Sequence, residues 1–172
     1  MWSWARARWS AAGIASWPTT RAATAAYTYG DLAADLLRVM GERGIGRAVL
    51  AGASMGAHTA LRVALEHPEA VAGLVVVTPA YDPETHEDAV SLARWDALSD
   101  GLREGGVEGF VAAYGEPSGD PAFHATLLTV LRQRLNAHEH PDAVADALRA
   151  VPRSRPFGDI GDLAAITVPT VV

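Results

Sequence analysis

The sequence predicts an α/β fold: a parallel-sheet core that carries an inserted group of helices. Two unbroken apolar runs, at 47–51 and about 71–78, have the pattern of strands buried on both faces. One helical stretch separates them, so strand, helix and strand follow within roughly thirty residues, the length of a right-handed parallel unit. After Pro79 the apolar runs stop, and four helical stretches with Gly and Pro boundaries take over.

The 172 residues amount to one modest domain. Hydrophobic residues make up 49% and the mean hydropathy is +0.09, which indicates a globular chain rather than a disordered one. The net charge of −6 and pI near 5.4 argue against a nucleic-acid partner. No apolar run approaches the length of a membrane span, so no membrane partner is expected. There is no cysteine, which excludes disulfides, thiol catalysis and Cys-based zinc sites; a cytoplasmic protein is expected. All 14 basic residues are arginine and Asn136 is the one asparagine, which reads as coding bias rather than as a surface shaped for an anionic partner.

Residues 1–26 differ from the rest. Four of the five tryptophans lie there, at Trp2, Trp4, Trp9 and Trp17, and no acidic residue precedes Asp31. The segment lacks the unbroken apolar stretch of a secretory signal; its Arg/Ser/Ala-rich, acid-free character mimics a transit peptide, and coding bias gives the same look. The expectation is that it is not part of the native core, as an out-of-frame stretch joined to a real domain would be. Residues 2–9 are the one candidate there for an edge strand.

Regular structure is predicted from Thr28. Thr28 and Asp31 have capping-box spacing, and Leu32, Leu36, Val39 and Met40 recur at helical intervals until Gly41 and Gly44 close the helix near Arg43. The strand at 47–51 runs into Gly52-Ala53-Ser54-Met55-Gly56, and a helix over about 55–67 stops at Pro68. Ala57, Ala60 and Ala64 let that helix pack closely on the sheet. Beyond the acidic loop 81–88, helices are predicted at about 87–104, 106–114, 122–137 and 141–150, and a loop or short helix at 158–167 leads to a last strand. Phe110, Tyr114, Phe123, Leu127 and Leu131 are candidates for the helices' own core or for a pocket.

Strand, Gly-x-Ser-x-Gly turn and helix form the context of a nucleophile elbow. A serine on so sharp a turn has its hydroxyl pushed out of the sheet, and Gly52 and Gly56 let strand and helix approach each other. The Met55 N–H, at the start of the helix, points where an oxyanion would form. The competing explanation is a strand-to-helix turn whose serine merely caps the helix.

The elbow, the helix stop at His67-Pro68 and the following Val71-Ala72-Gly73-Leu74-Val75-Val76-Val77 resemble the centre of an α/β-hydrolase. The helix from Tyr29 resembles the one preceding the elbow strand, and Ile166 to Val172 the strand after the cap. The resemblance covers 27–172. It implies a hydrolase core at 27–80, a helical cap over the elbow at 81–157, and a return to the core at 158–172, the whole truncated at both ends. It implies Ser54 as the nucleophile, Met55 as a backbone oxyanion donor, Gly52 and Gly56 as elbow structure, and no cofactor. Serine rather than aspartate at the elbow implies acyl transfer, with a small ester or lactone as substrate. In this family the acid and then the histidine follow the strand that begins at Val168, and a second oxyanion donor comes from an N-terminal loop; none of these is present. The expected activity is therefore weak or nil.

The histidines that are present are the candidates for a substitute base. His86, with Asp82, Glu84, Glu87 and Asp88 nearby, is the candidate substitute dyad, because the cap entrance is expected near the elbow. His58 lies one turn past Ser54 along the helix wall, where a structural role is expected, and His67 suits a helix C-terminus. His138 and His140, with Glu139 and Asp142, read as a solvated turn, and no metal site is expected. Two alternatives stay open: a non-enzymatic module binding an apolar ligand in the cap, and an unstable gene-model fragment.

Overall fold

The computed structural model describes residues 27–86, 88–115 and 120–172. The proposed edge strand at 2–9 lies outside them. Helix α1 (Tyr29–Glu42) opens on the expected capping box. The Asp31 N–H donates to Thr28 Oγ1 at 3.1 Å, and the Thr28 N–H donates to Asp31 Oδ2 at 3.0 Å. It closes on Gly44, whose φ of 67° only glycine adopts cheaply. The Ile45 N–H returns to Met40 O at 2.8 Å and the Gly44 N–H to Gly41 O at 3.0 Å, the paired bonds of a Schellman stop.

Strand β1 (Ala48–Ala53), helix α2 (Met55–Glu66) and strand β2 (Val71–Val77) form the predicted parallel unit. Register runs from Val49 opposite Gly73 to Ala53 opposite Val77, after a shift at Ala48. A short strand β3 (Thr170–Val171) adds to the other side of β2, giving the order β1-β2-β3, all parallel. The core lies between sheet and helices: Leu50, Val71, Leu74 and Val76 pack against Ala57, Ala60, Leu61, Val63 and Ala64. Alanines on that face of α2 bring the helix onto the sheet, as the sequence led us to expect. Among the described residues β1 pairs with β2 alone, and Val49 is 63% exposed, so one side of this strand presents an apolar face.

The helical region contains α3 (Ala89–Tyr114), α4 (Pro121–Asn136) and α5 (Pro141–Ala150). Helix α3 breaks where the Gly pair predicted a boundary: Gly106 has φ 60° and ψ −147°. Its two halves fold back and touch backbone to backbone, since a Cβ on Gly101 would stand 2.5 Å from Gly109 O. Leu98, Leu102, Phe110 and Ala145 make a small core of their own. A ladder of ion pairs runs beside it from α3 to α5 and the turn that follows: Arg103 with Asp146, Asp100 with Arg149, and Asp96 with both forks of Arg153 at 2.9 and 2.8 Å. The Arg153 hydrogen bonds hold the Asp96 carboxyl below the usual carboxylate range. Helix α4 has no buried residue; Arg132 ties it to Glu108 on α3 through two bonds of 2.7 and 2.8 Å. No helix among the described residues is long and apolar enough to cross a membrane.

This region meets the core through α1. Ala147 and Val151 pack on Tyr29 and Leu32, and the Tyr29 N–H donates to Ser154 Oγ at 3.0 Å. The segment after α5 then crosses α2, where Arg62 Nη1 donates to Arg155 O at 2.9 Å and Tyr81 Oη donates to Phe157 O at 3.2 Å.

The Gly101 contact leaves no room for a methyl group, whereas a Cβ at Gly105 meets nothing within 4 Å. Urea unfolding should therefore show Gly101→Ala destabilised by about 1–3 kcal/mol and Gly105→Ala unchanged or stabilised by about 0.5–1 kcal/mol.

Candidate active site

Ser54 stands at the end of β1 and directly before α2, with φ 50° and ψ −119°. A positive φ at a non-glycine residue costs of order 1–3 kcal/mol and persists only where the surroundings hold it. Two contacts hold it here. The Ser54 N–H donates to Val77 O at 2.9 Å, stitching the turn to the end of β2, and its carbonyl accepts from the Ala57 and His58 N–H groups at 2.9 and 3.2 Å, starting α2. The side chain makes no capping hydrogen bond, so the capping-serine explanation does not describe this turn. Ser54 is exposed, and its hydroxyl has no hydrogen-bond partner among the described residues.

The two elbow glycines differ. A Cβ on Gly52 would lie 2.2 Å from Gly56 O and 2.6 Å from Ala57 N, so strand and helix touch backbone to backbone there. At Gly56 a Cβ meets nothing within 4 Å among the described residues. The close approach thus needs the missing side chain at Gly52, with the Gly56 carbonyl as what it approaches; this corrects the expectation that both glycines serve it alike. The Met55 N–H, in the first turn, makes no hydrogen bond to a described residue and is free to meet an anion.

The nearest histidine in sequence is fully occupied. His58 is 5% exposed. The Ala80 and Tyr81 N–H groups both donate to His58 Nε2, each at 3.1 Å, and Tyr29 Oη lies 3.0 Å from Nδ1. Two N–H donors aimed at Nε2 require a lone pair there. The ring is therefore neutral, with its proton on Nδ1 donated to Tyr29 Oη. Burial lowers the His58 pKa, because the imidazolium would lose solvation. Burial, then the neighbouring Tyr81, raises that of the Tyr29 phenol. Sequence reasoning expected a structural role for His58; the partners in α1 and after β2, remote in sequence, gave no signal.

His86 lies in the turn between β2 and α3, half-buried, with its ring edge-on to Tyr81 at 5.3 Å. No hydrogen bond joins it to Ser54. His67 follows α2 as expected and lies 3.4 Å from Glu69. No group of three or more His, Asp or Glu among the described residues could hold a metal, His138 and His140 included. The core or pocket candidates divide: Phe110 lies in the small core of the helical region, Tyr114 stacks on it, Leu131 packs against it, and Phe123 is 65% exposed. Two of the clefts among the described residues stand apart from the elbow. One of about 500 Å³ lies at the far end of α2, between Arg62, Leu65 and Phe157; one of about 260 Å³ lies in the helical region, between Arg94, Trp95, Leu98 and Tyr114. Neither is lined by Ser54.

Comparison with known proteins places these features in a family. The profile described as "alpha/beta hydrolase fold" matches residues 9–168, starting inside the segment whose sequence showed no such resemblance. A thermophilic esterase from Thermogutta terrifontis, solved with malate bound, superposes with a TM-score of 0.65 at 28% identity, over 85% of this chain and 53% of its own. The enol-lactonase from Burkholderia xenovorans LB400 shares the fold, with a TM-score of 0.62 at 21% identity, over 84% and 53% of the two chains. RutD of Caulobacter vibrioides (strain NA1000 / CB15N), provisionally named a carbamate hydrolase, is 37% identical over 60 residues, which are 35% of this chain and 22% of that one. The chain thus spans about half the length of these solved structures and a smaller share of RutD.

Two outcomes follow from this geometry. Gly52→Ala should cost about 3 kcal/mol or more in urea unfolding, because the clash is with backbone, while Gly56→Ala should fold normally. For His58, the unfolded ring titrates near about pH 6.5 and the folded ring lower. Its contribution is therefore complete above about pH 6.5 and is lost as pH falls below it, through the folded value. The groups facing the ring are the neutral phenols of Tyr29 and Tyr81. Burial lowers the His138 pKa too, with the same sign. Urea midpoints between about pH 7.5 and 5 should fall for the wild type and fall less steeply for His58→Gln.

Proposed function

The chain belongs to the alpha/beta hydrolase fold family, and on that premise we propose that Ser54 is the nucleophile for hydrolysis of a small ester or lactone. The observation that carries this is the Ser54 backbone: a positive φ with an exposed hydroxyl that caps nothing, beside an unoccupied Met55 N–H. Strain of this kind at a strand end supports a site rather than a structural turn.

In this mechanism Ser54 Oγ attacks the substrate carbonyl carbon and its proton passes to a base. The Met55 N–H faces the oxyanion of the tetrahedral intermediate, the C–O bond breaks as the base returns the proton to the departing alkoxide oxygen, and water, deprotonated by the same base, cleaves the acyl-enzyme to the acid with the proton returned to Ser54 Oγ. The esterase relative supports this substrate class; a carbamate, named for RutD, has a carbonyl open to the same attack. No cofactor takes part.

The base is the limiting element. Of the candidate histidines, His58 has its acceptor nitrogen committed to two amides, and His86 stands in the turn between β2 and α3 against Tyr81. We therefore assign this chain a weak activity, with His86 as the stand-in base. The unpartnered hydroxyl also favours a second reading, a module that binds an ester-like apolar ligand without turning it over.

A fluorophosphonate probe, read by intact mass, tests the assignment. Labelling should be confined to Ser54, absent in Ser54→Ala, and slower by roughly 10⁴-fold than for a serine with a paired histidine. Labelling that persists in Ser54→Ala removes the nucleophile assignment. Rapid labelling lost in His86→Ala would show that His86 is an effective base and that the activity is not weak. Ligand binding with no labelling at all would leave the binding module.

A further inference from the structure

Among the described residues two non-glycine residues have positive φ, Ser54 at 50° and Thr78 at 48°, and they are neighbours: the Ser54 N–H is bonded to Val77 O at 2.9 Å. Ala53 and Val77 are the last register pair of the two parallel strands. The chain beyond β2 therefore leaves the sheet beside the serine, through a strained residue, and Thr78, Pro79 and Ala80 are all exposed. Exposed segments held in strained conformations need an external hold. Helix and strand ladders supply none here, because the segment belongs to neither.

The hold comes from His58. Its Nε2 accepts from two successive amides, Ala80 and Tyr81, at 3.1 Å each. Its Cα is four residues past Ser54 on the helix that the elbow begins, so one rigid turn of α2 connects the serine to the clamp. The opposite ring nitrogen is fixed by Tyr29 Oη of α1 at 3.0 Å, and the ring edges of Tyr29 and Tyr81 pack around it at 5.7 and 6.0 Å. We infer that His58, as the neutral Nδ1–H tautomer, is a positioning residue that sets the Thr78–Tyr81 segment as one wall of the Ser54 site. The inference deepens the proposed hydrolysis at Ser54 and rests on it for its functional meaning. Its geometry stands on the clamp alone. The role is not proton transfer: an imidazole whose lone pair faces two amides has none to offer the serine.

The test uses the full chain, with three readouts. Long-range ¹H–¹⁵N correlation spectra of histidine-labelled protein should show His58 protonated at Nδ1 and bare at Nε2, in a single tautomer. In His58→Leu, which keeps bulk but removes the acceptor, Ala80 and Tyr81 amides should exchange at least tenfold faster while the Leu74 amide inside the sheet keeps its rate. His58→Gln, which restores an acceptor, should recover protection. The fluorophosphonate rate at Ser54 should follow the same order, falling about tenfold in the Leu variant and recovering in the Gln variant. If His58→Leu fails to fold, Tyr29→Phe takes its place: losing the Nδ1–H acceptor should mix the tautomers and raise exchange at Ala80 and Tyr81. An Nε2–H tautomer, or unchanged exchange at the two amides in a folded variant, overturns the inference. If Ser54 labels in no variant, the hydrolysis proposal fails, while spectra and exchange still decide the clamp.

Discussion

The contact between Gly52 and the backbone of Gly56 is the constraint from which the rest of the site follows. A strand and a helix joined by one residue can lie this close only if that residue turns the chain sharply, and the sharpness appears as the positive φ of Ser54. Turning so tightly leaves the serine hydroxyl outside the sheet and brings its amide against Val77. The same amide is thereby occupied, which leaves the Met55 N–H as the one of the two without a partner among the described residues. Alanines at 57, 60 and 64 extend the close approach along α2, so the helix that bears His58 has little freedom to shift on the sheet.

The core was legible because local rules and tertiary demands agree there. Thr28 and Asp31 cap α1, Gly44 ends it, two β-rich runs bracket one helix, and Gly106 breaks α3 where a Gly pair stands. The site was legible only as far as it is local. Gly52, Ser54 and Met55 lie within four positions and could be read as a motif. The His58 partners are Tyr29 at 29 positions and Ala80 at 22, and neither a phenol nor a backbone amide announces a partner at such a distance. Gly56 shows the opposite error: a motif assigns both glycines one reason, whereas steric demand falls on one of them.

The helical region is built on different terms. Its apolar core is small, α4 buries nothing, and much of the specificity of its packing comes from charge placed opposite charge. The arginine-for-lysine usage that the sequence showed as a compositional bias takes on structural use here, since the forked guanidinium of Arg153 grips Asp96 with two bonds and that of Arg132 grips Glu108 likewise. Exposed pairs of this kind set register more than they stabilise.

The bond between the Tyr29 N–H and Ser154 Oγ spans 125 positions. Chain synthesis is directional, so α1 leaves the ribosome long before the residues that fasten its first turn exist. The parallel unit behind it closes over short loops and can condense early, taking Ala33 and Met40 of α1 into its core, but the first turn of α1, at Tyr29 and Leu32, must wait for α5 and the turn that follows. Its capping box and Schellman stop give it the means to persist through that delay as a locally specified helix. The first turn of a helix made before the sheet it flanks is thus among the last parts of the described fold to be secured.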